Sequence, residues 1–316
     1  MRPPNVFAGQ YLDRAAQLRK DPAGLAAARA DPGAWILPVL ESRNLVRRTP
    51  QGWAAEFVEA CCRHASHGQP EDWILLGRFG GRLCFACDAN HDEGPAAAGD
   101  TSYEDLRRTA GALPDDEAGL LAYARAMVSW RQRSRHCGAC GFPTSSTSAG
   151  HVMKCSNEAC GAEQFPRLDP AIIVLVTDGE RALLGRQAAW PAGRYSTIAG
   201  FVEPGESLED AVAREVLEET GVSVQGATYH SSQPWPFPSS LMIGFTATAS
   251  PAAIAQADEE LEDVRWFSRE DVASGFPGLP FPQSISFRLI EDWYDSGSSV
   301  PLRSTPGVKL WGRPDR

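Results

Sequence analysis

Residues 200–222 read GFVEPGESLEDAVAREVLEETGV, and their spacing decides how the second half of the chain folds. Ser207 followed three residues later by Asp210 is a capping-box start, and Gly221 is a natural stop, so a helix is framed over 208–220. On that helix Glu215, Glu218 and Glu219 stand at i, i+3 and i+4 and share one face. Steps of about 100° per residue put Ala213 and Leu217 on the opposite side, with Val216 on its flank, and that side is expected to bury against a sheet. Crowded carboxylates weaken a helix by roughly a few tenths of a kcal/mol per pair, a conflict that a divalent cation removes. Carboxylate oxygens are the hard ligands that Mg²⁺ or Mn²⁺ prefers. A solvated charged face is the plainer alternative. The glycine-containing entry loop, Glu206 and Arg214 favour the cation.

The chain around this helix has 316 residues, 43% hydrophobic and 22% charged, which points to more than one domain and excludes wholesale disorder. Forty acidic against 30 basic side chains give a net charge of -10, which disfavours a binder that grips nucleic acid through its phosphates. A phosphate-bearing substrate must then be met locally, with a metal cation. The longest apolar run, 171–176, is too short for a bilayer, and 1–20 has no signal-peptide core, so a cytoplasmic protein without membrane partners is expected. In that reducing setting the eight cysteines read as metal or core positions, not disulfides.

Three segments follow: 1–135, 136–166 and 167–316. In the first, 73–77 and 82–87 alternate as paired strands, 88–100 reads as a loop, and a helix is expected over 115–133. No internal sequence repeat is visible. The third opens with a strand at 171–176 and closes with a helix over 284–294. The class is α/β with a mixed sheet, preceded by an α+β domain.

In the middle segment Cys137 and Cys140, then Cys155 and Cys160, form two knuckle-like pairs that suit tetrahedral zinc. Zinc would supply the folding free energy of a segment this small. Cys84 and Cys87 have the spacing of a redox pair but lie in a strand, where i and i+3 face opposite ways, so redox activity is not expected. Cys61 and Cys62 read as helix or core residues, His151 and His230 as surface or packing residues.

The segment 200–222 matches every defined position of the Nudix box, G-x5-E-x7-R-E-U-x-E-E-x-G-U with U aliphatic, and the chain resembles a Nudix hydrolase. The resemblance implies an α/β/α sandwich and hydrolysis of a nucleoside diphosphate linked to another group. It makes Glu215 and Glu219 metal ligands and Glu218 a further ligand or a base acting on water. Arg214 would pair with Glu206 to hold the loop on the helix.

A second motif narrows the substrate. Residues 232–240, SQPWPFPSS, alternate prolines with aromatics, which fixes an extended backbone and holds Trp235 and Phe237 at little entropic cost. From physics alone this could be a proline-rich loop packed on the core. The motif and the four-cysteine ribbon together resemble the NADH pyrophosphatase branch of the family. That resemblance implies cleavage of NADH or NAD⁺ to the nicotinamide mononucleotide and AMP, removal of NAD caps from RNA, and a homodimer. It places Phe201 on the substrate base and Gln233, Pro234, Trp235, Pro236, Phe237, Pro238, Ser239 and Ser240 along the dinucleotide site. It gives the Ala199 carbonyl and Glu260, with Glu259 as competitor, to the metal. Ser286 and Arg107 become substrate-lining, as does Phe165, which stands where relatives carry tyrosine. Two other readings stay open: a Nudix enzyme for ADP-ribose or diadenosine polyphosphates, and a zinc-ribbon nucleic-acid module with a nucleotide-sensing domain, whose basic residues would be Arg131, Arg133, Arg135 and Lys154.

Overall fold

Strand-forming runs at the two ends of the sequence build two separate sheets, seen in a computed structural model that describes residues 3–90, 99–249, 254 and 260–311. The chain divides into an amino-terminal unit, 6–168 with 234–239, and a carboxyl-terminal unit, 1–5 with 169–233 and 240–316. Most of the loop expected at 88–100, and Glu259, lie outside the described residues.

The amino-terminal unit runs α1 (Pro22–Ala30), β1 (Trp35–Leu40), β2 (Arg43–Thr49), β3 (Gly52–Ala55), β4 (Val58–Glu59), β5 (Ile74–Phe79), β6 (Arg82–Asp88), β7 (Thr101–Glu104), α2 (Leu106–Thr109) and α3 (Asp115–Arg133). The sheet order is β3-β2-β1-β6-β5, with β4 on β1 and β7 on β2. The two expected strands pair as the antiparallel hairpin β5–β6, and α3 spans the expected residues. Alternation in β6 fails, however, because residues 83–87 are all buried. Cys84 and Ala86 join the core that α3 closes, while Leu83, Phe85 and Cys87 join a second core with Trp73 and Leu75, so both faces of the strand are covered. Cys84 and Cys87 do face opposite ways. Burial pushes both thiols up, Cys84 to about 12, away from the reactive thiolate. Cys61 and Cys62 are not core residues: they sit exposed on the 3-10 turn Ala60–Cys62.

The same unit carries the cysteine segment, whose strands β8 (Thr144–Thr147), β9 (Val152–Cys155) and β10 (Glu163–Gln164) pair antiparallel in the order β10-β9-β8.

The carboxyl-terminal unit comprises β11 (Asp169–Thr177), β12 (Ala182–Arg186), β13 (Ile198–Phe201), α4 (Leu208–Thr220), β14 (Val224–Trp235) as far as Gln233, β15 (Ser240–Ala249), β16 (Asp263–Phe267), α5 (Arg269–Ser274) and α6 (Ile285–Ser296). Its mixed sheet has the order β14-β15-β11-β12-β16, with β13 on β11. On β11, Ile172, Val174 and Val176 pack with Val212 and Val216 of α4, whereas Ile173 and Leu175 pack with Phe287, Leu289 and Ile290 of α6. The period-two alternation of one strand thus feeds both layers of the expected α/β/α sandwich, each buried aliphatic side chain contributing about 1.5–3 kcal/mol.

The two sheets share one connectivity. β1 and β11 each pair antiparallel with the next strand (β2, β12) and with a short later strand (β4, β13), and parallel with a still later one (β6, β15). That strand in turn pairs with the one preceding it (β5, β14). The difference lies after the short strand. β13 leads into the 13-residue helix α4, but β4 leads into the 3-10 turns Ala60–Cys62, Ala65–His67 and Pro70–Asp72.

His151 is a packing residue, as expected: its buried ring meets the Leu75 carbonyl through Nε2 at 2.7 Å. Burial lowers its pKa from 6.5 to about 4. The unfolded chain takes up this proton near pH 6.5 while the folded chain resists it to about 4, so the fold loses stability as pH falls through that window, by up to roughly 3 kcal/mol, and is insensitive to this group above it. Urea unfolding at pH 7.5 and 5 should show a smaller pH dependence in His151→Gln than in the wild type; an identical slope would remove His151 from the acid response.

Candidate active site and cysteine cluster

The entry loop and α4 follow β13 directly. Ser207 Oγ accepts from the Asp210 N–H at 3.1 Å, and the Asp210 carboxylate accepts from the Ser207 N–H at 3.0 Å, which is the expected capping box. Gly221 ends the helix in the left-handed region at φ 71°. The buried face is not the expected one. Leu217 is 49% exposed and Ala213 is exposed, while Ala211, Val212, Glu215, Val216, Glu219 and Thr220 are buried. Val212 and Val216, four residues apart, set the stripe that packs on the sheet, and Glu215 and Glu219 lie on that same side. Glu218 alone of the three points outward, its side chain 52% exposed.

Arg214 ties this region together. Its Nε and Nη2 donate to the two Glu206 carboxylate oxygens at 2.5 and 3.0 Å, and Nη2 also donates to the Phe201 carbonyl at 2.9 Å. Nη1 donates to Glu215 Oε1 at 2.9 Å and Glu218 Oε2 at 3.0 Å. The guanidinium pulls the Glu206 carboxyl down to about 2, helped by the Glu203 N–H. At Gly200 the backbone lies against Glu215: a Cβ there would fall 1.9 Å from Glu215 Oε1. Burial raises the pKa of Glu215; Arg214 opposes this, and the charges of Glu218 and Glu260 add to it. Glu260, outside the helix and exposed, therefore shares the electrostatic field of Glu215. Carboxylates outnumber the single guanidinium here, and Glu215 and Glu219 are buried; their chemistry is that of ligands to a hard divalent cation, but no three of these carboxylates bring oxygens within 4.8 Å of one another.

Other expected residues are dispersed. Phe201 is 59% exposed, with its ring free to stack. Ala199 lies on β13 opposite Ile173. Ser286, at the start of α6, is buried and bonded to the Ser196 and Thr197 hydroxyls at 2.8 Å each. Gln233 is fully buried, its amide donating to the Gln283 carbonyl at 2.8 Å and accepting from the Ile285 N–H at 2.9 Å. Ser240 opens β15 beside Asp169. The intervening 234–239, with Pro234, Trp235, Pro236, Phe237, Pro238 and Ser239, belongs to the amino-terminal unit. There Arg107 lies over the Phe237 ring at 5.2 Å, so these two expected residues do meet. Phe165, after β10, is 61% exposed. Sequence reasoning passes over Arg125, whose only signal is a cation inside the apolar run of α3.

The donor atoms of Cys137, Cys140, Cys155 and Cys160 lie within 4.8 Å of one another. The pairs Cys137–Cys160 and Cys140–Cys155 are 3.9 and 3.4 Å apart at sulfur. A tetrahedral ion bonded to four sulfurs at about 2.3 Å spaces them by about 3.8 Å, so the cluster fits zinc. Backbone N–H groups of Ala139 and Cys140 lower the Cys137 thiol to about 7, easing its conversion to a ligand. Among the described residues one other group of donors closes to this distance, the exposed Glu59, Cys61 and Cys62.

Comparison with known proteins matches residues 167–286 to the Nudix domain and residues 37–130 to an NADH pyrophosphatase-like rudimentary Nudix domain. The second match accords with the repeated connectivity of the two sheets. The chain is 40% identical over 249 residues to the NAD-capped RNA hydrolase NudC of Stutzerimonas stutzeri, covering 75% of this chain and 87% of that protein. It is 39% identical over 302 residues to the enzyme of the same name from Mycobacterium tuberculosis, covering 89% and 92%. With Nudix hydrolase 19, chloroplastic, of Arabidopsis thaliana it shares 48% over 164 residues, 50% of this chain and 37% of that one.

The cysteine cluster predicts that protein purified under reducing conditions carries one zinc per chain by elemental analysis. Cys155→Ser should lose it and raise amide exchange across 137–164; a zinc-free wild type with protected amides in that stretch would contradict the assignment.

Proposed function

The chain belongs to the Nudix hydrolase family, in its NADH pyrophosphatase branch, and we propose that it hydrolyses the pyrophosphate of NADH and NAD⁺ to the nicotinamide mononucleotide and AMP, and removes NAD caps from RNA 5′ ends. The observation that carries this reading is the Arg214 network, which fastens the Glu206 loop to a helix whose Glu215 is buried against Gly200 and whose Glu219 is buried as well. We assign Glu215, Glu219 and Glu260, with the Ala199 carbonyl, to a catalytic Mg²⁺ or Mn²⁺. Such an ion, when bound, neutralises phosphoryl oxygens and makes a coordinated water more acidic.

The protein's own groups supply position and proton transfer. Arg214 fastens the loop to the helix through both Glu206 carboxylate oxygens. Glu218, at the exposed edge of the acid face, either adds a ligand or orients and deprotonates the attacking water. Water adds to one phosphorus in line with the bridging oxygen, that P–O bond breaks, and both halves leave as phosphomonoesters. The exposed Phe201 ring is assigned to base stacking, Ser286 to the lining of the site, and the segment around Trp235 and Phe237 to recognition of the dinucleotide. Zinc as the ion of the thiolate cluster, a homodimeric state and a cytoplasmic location belong to the same reading.

Chromatography of products after incubation with NADH and Mg²⁺ should show equal amounts of AMP and reduced nicotinamide mononucleotide. Glu218→Gln should lower kcat by on the order of 100-fold or more with the unfolding midpoint preserved. Wild-type turnover in that variant would take Glu218 out of the reaction.

A further inference from the structure

Resting on the recognition role proposed for 234–239, we infer that Arg125 is the positioning residue of that segment, fixing the Pro236 backbone and the Phe237 ring. Prolines at 234, 236 and 238 lack N–H groups, so a neighbour must hold the backbone there through its carbonyls. Arg125, in α3, does this: its Nε donates to the Pro236 carbonyl at 2.8 Å. The same guanidinium lies over the Phe237 ring at 4.8 Å, and Arg107 lies over it at 5.2 Å. Trp235 meets Phe237 edge-on at 4.9 Å, and Phe7 closes the cluster at 6.3 and 6.1 Å from the two rings.

Arg125 is only 8% exposed, and a cation so placed needs compensation. Asp105 supplies part of it: burial lowers the Arg125 pKa and the charge of Arg107 adds to that, the Asp105 charge opposes both, and the Asp105 carboxylate is gripped by Arg107 Nη2 at 2.6 Å. Asp105, Arg107 and Arg125 therefore act as one charged frame around a single ring. A methionine would fill the volume at 125 with no desolvation cost but would leave the Pro236 carbonyl without its donor. The amino-terminal unit, with turns in place of the carboxylate-bearing helix, thereby carries the frame that sets how Trp235 and Phe237 are presented.

Kinetics with NADH and hydrogen exchange of the free enzyme test this together in Arg125→Met, Arg125→Lys and Phe237→Leu. Arg125→Met should raise KM by about tenfold or more with little change in kcat, and speed exchange at the Trp235 and Phe237 amides while α3 stays protected. Arg125→Lys, which keeps the cation but not the planar donor, should fall between, and adding Arg125→Met to Phe237→Leu should cost less than in the wild type. If Arg125→Met does not fold, the lysine variant and Phe237→Leu decide by the same readouts. Unchanged KM, a loss confined to kcat, or faster exchange spread through α3 would each overturn the inference. A wild type that leaves NADH intact would instead sink the functional reading, with the exchange result still deciding whether Arg125 holds the segment.

Discussion

The guanidinium of Arg214 donates to Glu206, Glu215, Glu218 and the Phe201 carbonyl, so one side chain joins an entry loop, a helix and a strand end. The link between the loop and the acid face runs through it. Without that cation, Glu206 loses its two-pronged hydrogen-bond partner, and the loop loses its tie to α4 through that side chain. Arg214 still leaves carboxylate in excess, and burial, with the charges of Glu218 and Glu260 adding to it, raises the pKa of Glu215 against the pull of Arg214.

The backbone contributes as much as the charges. Gly200 lets Glu215 lie against β13 where any side chain would collide with its carboxylate. Val212 and Val216 anchor the helix to Ile172 and Val174 of β11, so the buried acids are placed by hydrophobic packing rather than by attraction to each other. In the amino-terminal unit the same strand pattern ends in short turns at the corresponding point. Connectivity has been kept there while the carboxylate-bearing helix has not.

Much of this is legible in the sequence because it is local. The capping box at Ser207 and Asp210, the stop at Gly221, the helix over 115–133 and the paired cysteines all rest on contacts between near neighbours. The orientation of α4 is not legible. Charged residues are normally exposed, so sequence alone puts the acids on the solvent face and Leu217 in the core, whereas packing of Val212 and Val216 places Glu215 and Glu219 inside. Burial on both faces of β6 escapes for a related reason: cover by α3 and by a second core is a long-range property that alternation in one strand does not reveal. Nor can the repeated topology be seen, since register and connectivity persist after sequence similarity has gone.

Electron paramagnetic resonance titration of Mn²⁺ into the wild type and Glu219→Gln tests the central claim most directly. Buried carboxylates of α4 acting as the ligands predict a bound ion in the wild type and affinity at least about tenfold weaker in the variant, a loss near ~1.4 kcal/mol. Equal affinity in the two proteins, both folded, would place the ion elsewhere and contradict the account.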